Sequence, residues 1–406
     1  MTASTGKKQT TLQGIFNVLL TAVGVGMLSL SQSMAAAGWL IGFPLLIGFG
    51  LLAIYLCILL ERSMTLAAKL SFKKNSDVVT YEDVGFAAFG MKGRLAVTVP
   101  LHLALVGCSC ALVYLLADCT SELIELSTGK KSPWTSVGRL AWMWGVPLML
   151  LIWLPTMRHV GYVSSSLGLC GVLSLIFCVV VGGFKQYATF SASYNVAPKD
   201  ATKLGFVFAA LTFAFAVTCT VPTIIRDLED RKSAPKVLFW GLILTITVYL
   251  VIALAGYLGW GVALNTAIYK AIPVNTWVGY ACRVSLIIAC ACHYAVMLHP
   301  TCRELEDLAG LTHMPIKRTL LRSTLAIFTF LVASVVQKLD VYVGLLGSVT
   351  FAAIHSILPP ILYMRLSSLN DIVIGNGVKT CLYAVVALTL VGGTFGVIES
   401  VQALGI

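Results

Sequence analysis

From Gln9 to Leu60 the chain runs 52 residues without a charged side chain, and the middle of that run reads Val23-Gly24-Val25-Gly26-Met27-Leu28-Ser29-Leu30. A run this long and apolar belongs in lipid, where backbone groups find no water and a regular helix is demanded. Two glycines in a GxG spacing work against that helix by about 1 kcal/mol each. Their mid-span place suggests a helix built to be interrupted, and interrupted spans near the bilayer midplane are where many secondary transporters hold substrate and ions. Small residues also serve close helix packing in membranes, so the glycines alone leave both readings open.

The rest of the chain is of the same kind. Of its 406 residues 58% are hydrophobic and 11% charged, whereas soluble proteins carry about a quarter charged residues. The chain reads as one polytopic membrane domain with no signal-peptide layout and no soluble domain. Charge-free intervals give eleven spans, at about 12–35, 40–68, 95–117, 140–157, 160–184, 204–225, 236–259, 273–299, 319–337, 341–364 and 379–398. In the ninth, Arg318 and Arg322 are expected to snorkel to the surface. Tyr81–Phe89 alternates polar and apolar residues and reads as an interfacial helix.

With the N-terminus in the cytoplasm, 19 of the 28 Lys and Arg residues fall on the inner side, 8 on the outer, and Arg283 within a span. That asymmetry follows the positive-inside rule and places the C-terminus outside or in a lumen. The net charge of +11 is then a topology signal, not the mark of a nucleic-acid partner. The twelve cysteines fall mostly within spans, without metal-ligand spacing at Cys108/Cys110 or Cys290/Cys292. No phosphate-binding loop, triad or metal constellation is present, so the chain reads as neither an enzyme nor an ATP-driven pump, and no cofactor is expected.

A second interruption falls in the sixth span, Phe213-Ala214-Phe215-Ala216-Val217-Thr218-Cys219-Thr220-Val221-Pro222. Pro222 is expected to remove a hydrogen bond near Thr218 and unwind the helix there. Breaks in spans one and six fit an inverted repeat of five helices each, about 12–184 and 204–364, with one extra helix at about 379–398. Such breaks suit a zwitterion: half-helix amides take a carboxylate, and freed carbonyls take an ammonium or a cation.

Four stretches in order carry a family resemblance. Val23 to Trp39 resembles the signature GxGxLxLPxAxxxxGW of the amino acid/auxin permease family. Thr80-Tyr81-Glu82-Asp83-Val84-Gly85 with Phe89-Gly90-Met91-Lys92-Gly93-Arg94 resembles its TYEDLG and AFGxxGR loop. Phe213–Phe215 with Val221–Ile224 resembles its sixth-helix signature, and His299-Pro300-Thr301-Cys302-Arg303-Glu304-Leu305-Glu306 the exit of its eighth helix. The resemblance covers the whole chain and favours the break over mere packing at Gly24 and Gly26. It implies an all-α, leucine-transporter-like fold of eleven spans and alternating-access transport of an amino acid. It also implies a substrate site among Gly24, Val25, Gly26, Met27 and Leu28 on the first span and Phe213, Ala214, Phe215, Ala216 and Thr218 on the sixth. The third span would add Cys108, Ser109 and Tyr114, and the eighth Cys290 and His293.

The departures bear on coupling. Ser31 stands where the family often has proline, and Thr218 where many members have histidine. Leu20 and His293 stand where sodium-coupled members carry an asparagine and a hydroxyl, with Asn17 one turn away. Sodium wants oxygen ligands, so a proton is favoured as the coupling ion. Histidine titrates near neutrality, making the intramembrane His293, His102 and His355 the proton-coupling candidates. Arg283 either snorkels outward or pairs with Asp118; Tyr81–Asp83 is either part of an inner gate or a solvated loop.

The expectation is a proton-coupled symporter of neutral amino acids, working as a monomer in the lipid bilayer of the plasma membrane or of an endomembrane such as the vacuole. An amino-acid-sensing transceptor and a sodium-coupled symporter are the alternatives. The roughly eleven residues before the first span, too short for a partner-binding tail, count against the transceptor.

Overall fold

The computed structural model describes residues 9–72, 80–130, 132–154, 157–311 and 313–404; the side chains of 71–72, 157–166 and 404 are outside this description. Lys7, Lys8, Lys73, Lys74 and Lys131, counted in the charge asymmetry, lie outside the described residues. The described chain is helical, and its one β-bridge joins Gln9 to Leu228.

The first span comes in two pieces bent by 55°, α1 (Thr11–Ala22) and a 3-10 turn Val25–Ser29 leading into α2 (Leu30–Ala37). Thr10 starts α1 through a capping box with Gln13. Then follow α3 (Trp39–Phe72), α4 (Tyr81–Phe89), α5 (Met91–Thr128), α6 (Val137–Trp153) and α7 (Met157–Thr189). The sixth span divides into α8 (Leu204–Ala214), a 3-10 turn Val217–Cys219, and α9 (Val221–Asp227). Beyond it come α10 (Ala234–Trp260), the short α11 (Ile268–Ala271), α12 (Trp277–Leu308) and α13 (Pro315–Val335). The tenth span runs as α14 (Leu339–Leu346), a wide π-helical stretch Gly347–Ile357, and α15 (Leu358–Leu369), before α16 (Asn376–Leu404).

Among the described residues nine helices are long and apolar enough to cross a membrane, and the bent first pair makes ten. The fourth expected span, α6, is apolar but has only 17 residues. Large apolar side chains stand exposed on the outer helices, Val146 on α6, Ile316 and Leu331 on α13 and Leu388 on α16 among them. Outward-facing apolar surface of that extent suits contact with lipid. The extra helix α16 is the least enclosed span, with 22% of its most apolar window buried.

Three sequence expectations change. Pro222 does not interrupt a helix; it sits in the first turn of α9, where a missing N–H is harmless, and the unwinding precedes it at Phe215–Thr220. Arg322 does not snorkel: it is 1% exposed, doubly hydrogen-bonded to Glu306, and donates to the carbonyls of Ile152 and Leu154. Arg283 neither snorkels nor pairs with Asp118. Its Nε lies 2.8 Å from Glu122 Oε2 and its Nη1 donates to Ile272 O at 2.7 Å. In each arginine a buried charge is met by a carboxylate and carbonyls, the arrangement such a charge requires.

Candidate functional site

The two breaks meet. A Cβ added at Gly26 would lie 2.6 Å from Ala214 Cα, so only glycine lets the first break lie flush on the end of α8. Between them is a cavity of about 80 Å³, lined on one side by Thr21–Met27 and on the other by Phe213, Ala214, Ala216, Val217, Cys219 and Thr220. The walls are Leu105, Cys108, Leu112 and Leu115 of α5, Val172 and Leu175 of α7, and Leu286, Ala289, Cys290, His293 and Met297 of α12. Phe351 of the π-helical stretch completes the lining. The surface is apolar with a few hydroxyl, thiol and imidazole groups, and no carboxylate, ammonium or guanidinium faces it.

Unwinding frees carbonyls that lipid cannot satisfy, and side chains reach several of them. Tyr249 of α10 reaches both helix ends, its hydroxyl 2.5 Å from Ala22 O and 2.9 Å from Ala214 O. Cys219 Sγ donates to Ala216 O at 3.1 Å, and the Thr220 hydroxyl to Val217 O at 2.9 Å. At the other pole, the amides that open the Val25–Ser29 turn have no acceptor within the helix, and Gly24, Val25 and Gly26 bring that backbone to the cavity edge. The positive end of a half-helix at a cavity wall suits a carboxylate.

Of the residues expected at the site, Gly24, Val25, Gly26, Met27, Phe213, Ala214, Ala216, Cys108, Cys290 and His293 come together around this cavity. Leu28, Phe215, Thr218, Ser109 and Tyr114 are outside its lining. Phe215 turns away onto Tyr249, with ring centroids 5.1 Å apart. Thr218 faces His355, Oγ1 to Nδ1 3.3 Å, and the Ser109 hydroxyl donates to Leu105 O in its own helix. For Leu28, Phe215 and Thr218 the breaks themselves are why: once the backbone leaves the helix, the 3.6-residue period no longer says which side chain faces the centre. Ser109 and Tyr114 lie in the unbroken α5, on faces turned from the cavity.

The three candidate histidines are dispersed. His293 lines the cavity with Nδ1 2.9 Å from Ala289 O, His355 is buried behind the sixth-span break, and His102 lies elsewhere. Its place is a vestibule of about 680 Å³, which shares Thr21, Leu105, Cys219, Thr220, His293 and Met297 with the cavity. The vestibule adds polar groups absent from the cavity, Asn17, Tyr81, Glu82, Arg226, Asp227, His299, Arg303, Glu304 and Asp307 among them.

Following α5 the other way, past Leu112 and Leu115, leads to Asp118 and Glu122, and following α12 past Leu286 leads to Arg283. Here the core is closed by charge. Tyr269 of α11 donates to Asp118 Oδ2 at 2.6 Å, Lys270 Nζ lies 3.1 Å from the same oxygen, and Arg283 holds Glu122. Burial and the Asp118 carboxylate push the Tyr269 hydroxyl well above its ordinary pKa. Burial alone would pull Lys270 down, but Asp118 and its neighbours outweigh it and raise the ammonium above its usual value. Sequence reading missed Tyr249, Tyr269 and Glu122; none stands in a motif, and each acts on a group distant in the chain.

A family model described as "Transmembrane amino acid transporter protein" matches residues 7–402. The chain belongs to that transmembrane amino acid transporter family. Within it, the chain is 23% identical over 397 residues to the amino acid transporter AVT1D of Arabidopsis thaliana, covering 97% of this chain and 70% of that protein. It is 24% identical to AVT1I of the same plant, over 86% of this chain and 85% of that one. Two solved structures share its fold at 13% identity. They are the inward-facing conformation of Mhp1, with TM-score 0.60 over 98% of this chain and 90% of that one, and MhsT in complex with L-phenylalanine, with TM-score 0.56 over 97% and 100%. The leucine-transporter-like fold expected for this family member is therefore present, with its two broken spans at the centre.

Proposed function

We propose that the protein is a secondary active transporter that moves neutral amino acids together with protons by alternating access. The observation that carries this reading is the cavity between the Gly24–Gly26 break and the Ala214–Thr220 break, which pairs a half-helix amide end with apolar, acid-free walls. A zwitterion finds its carboxylate partner in the backbone, and nothing in the lining pairs with a charged side chain.

Proton coupling is supported by the fate of the freed carbonyls. Ala22 O and Ala214 O, oxygens of the kind a sodium ion would use, are taken by the Tyr249 hydroxyl, and Leu20 at the expected asparagine position offers no oxygen. The open vestibule is lined by Arg226 and Arg303 alongside carboxylates, and both arginines fall on the side that the charge asymmetry assigns to the cytoplasm.

The test is uptake into proteoliposomes of labelled neutral, cationic and acidic amino acids, under an imposed pH gradient and with or without sodium. Concentrative uptake of neutral amino acids driven by inward protons, indifferent to sodium, is the expected result. Uptake only with sodium overturns the coupling assignment, and preference for arginine or glutamate overturns the substrate class. Binding without movement under either gradient would make the protein a sensor.

A further inference from the structure

We infer that Glu82 and His102 together form the proton-binding site of transport, and that α4 carries its state to the sixth-span break. This rests on the proton-coupled reading above and names where the proton sits.

His102 is on α5 and Glu82 on α4, and both line the vestibule. The His102 Nδ1 is engaged by the Thr301 hydroxyl of α12 at 3.0 Å. Its Nε2 is buried without a hydrogen bond and lies 3.6 Å from Glu82 Oε1. That gap is wider than a hydrogen bond by roughly half an ångström. One added proton changes the balance: imidazolium facing a carboxylate attracts it at short range in a medium of low dielectric. The step is a proton transfer alone. A proton from vestibule water binds His102 Nε2, the Nε2–H turns to the Glu82 carboxylate, and release returns the same proton to water.

The neighbouring charges leave this pair to itself. Glu304 of α12 also faces His102 but is held by Arg94 at 3.1 Å. Across the vestibule, Arg226 and Asp227 of α9 pair with one another at 3.4 Å. Arg303, His299 and Asp307 of α12 line the same space, and among the described residues neither Arg303 nor His299 forms an ion pair with Glu82.

The residue before Glu82 supplies the link. Tyr81, 1% exposed, donates its hydroxyl to Ile354 O at 2.9 Å. The same carbonyl lies 3.5 Å from Thr218 Oγ1 in the unwound part of the sixth span. Tyr81 and Glu82 occupy the first turn of one nine-residue helix, so drawing Glu82 toward His102 moves the anchor of the break that lines the substrate cavity. His293 lacks this arrangement: its Nδ1 is held by Ala289 O as that of His102 is by Thr301, but among the described residues no carboxylate pairs with its ring.

The experiment compares Glu82→Gln and His102→Gln with the wild type in proteoliposomes, measuring both proton-driven accumulation and equal-concentration exchange of a labelled neutral amino acid. Exchange needs the moving parts but no net proton. Expected is a fall in accumulation of roughly tenfold or more in both variants, with exchange kept within about twofold, a separation in the range of ordinary site-to-site coupling. Accumulation retained in both variants overturns the proposal alone. Exchange lost in step with accumulation in both variants also overturns it, since the pair would then be a structural latch. A wild type that exchanges but never accumulates under a pH gradient sinks the proton-coupled reading itself, a result distinct from either.

Discussion

The hydroxyl of Tyr249 lies 2.5 Å from the carbonyl oxygen of Ala22, the last residue of α1, and also 2.9 Å from that of Ala214, the last of α8. One side chain on a third helix therefore ties the ends of both broken spans together. Tyr249→Phe keeps the ring packed on Phe215 and removes the single hydroxyl proton that the two buried carbonyls share. A loss of about 1–3 kcal/mol is expected, the usual cost of an unsatisfied buried polar group. Thermal unfolding in detergent measures it, and an unchanged Tm would show that neither carbonyl depends on the hydroxyl.

Gly24 and Gly26 are two residues apart but predict different outcomes. A methyl at Gly26 meets Ala214 Cα at 2.6 Å, backbone that cannot step aside, whereas a methyl at Gly24 meets nothing within 4 Å. Gly26→Ala is expected to abolish uptake and lower the Tm. Gly24→Ala, whose methyl would enter the cavity edge, is expected to fold normally and to lose affinity for the larger neutral amino acids first. Competition by a size series of amino acids reads this directly; equal effects at both positions would deny the packing asymmetry.

Arg283 is 2% exposed and relies on Glu122 for its counter-charge. Removing one partner of a buried pair commonly costs about 3–5 kcal/mol. Glu122→Ala is therefore expected to be the more damaging change and Arg283→Met the milder, because the second strips out the charge that needs a partner. The order of the two Tm values decides it, and the reverse order would place Arg283 in water.

The Asp118–Tyr269–Lys270 cluster fixes a pH response. Both the Tyr269 hydroxyl and the Lys270 ammonium have folded-state pKa values raised above the ordinary 10.0 and 10.5. A group raised on folding binds its proton more tightly in the native state, so its contribution is full below the unfolded pKa and disappears as pH climbs through the folded one. The Tm of the wild type should hold steady up to about pH 10 and then fall more steeply than that of Asp118→Asn, in which the carboxylate that helps raise both groups is gone. Parallel alkaline curves would remove Asp118 from that role.

Much of this architecture was legible in the chain. Charge-free intervals located the spans, and the Gly24/Gly26 pair marked the first break, because lipid leaves helix as the default and anything that weakens a helix stands out. The site was half legible. Gly26 and Phe213 could be placed from motif, but Phe215 and Thr218 face away from the cavity, since unwinding erases the periodicity that assigns faces. Pro222 looked like the cause of the second break and instead begins the helix after it. The partners of Arg283 and Arg322 were not readable at all: Glu122 is 161 residues from the first, and the Ile152 carbonyl 170 residues from the second. Tyr249 in an apolar span reads as an ordinary packing aromatic until its hydroxyl is seen between two helix ends.

The seventeen residues of α6 have a consequence for the membrane around the protein. At 1.5 Å per residue they reach about 26 Å, less than the roughly 30 Å of a typical hydrocarbon core. Trp142 and Trp153 stand exposed along the same helix, and indole rings settle at the headgroup level. Placed across a bilayer, this flank draws the two leaflets toward each other and leaves a local dimple beside α6, at a cost of a fraction of a kcal/mol per ångström. A thinner membrane removes that cost. The cost of placing this chain in a bilayer thus depends on lipid thickness at that one flank.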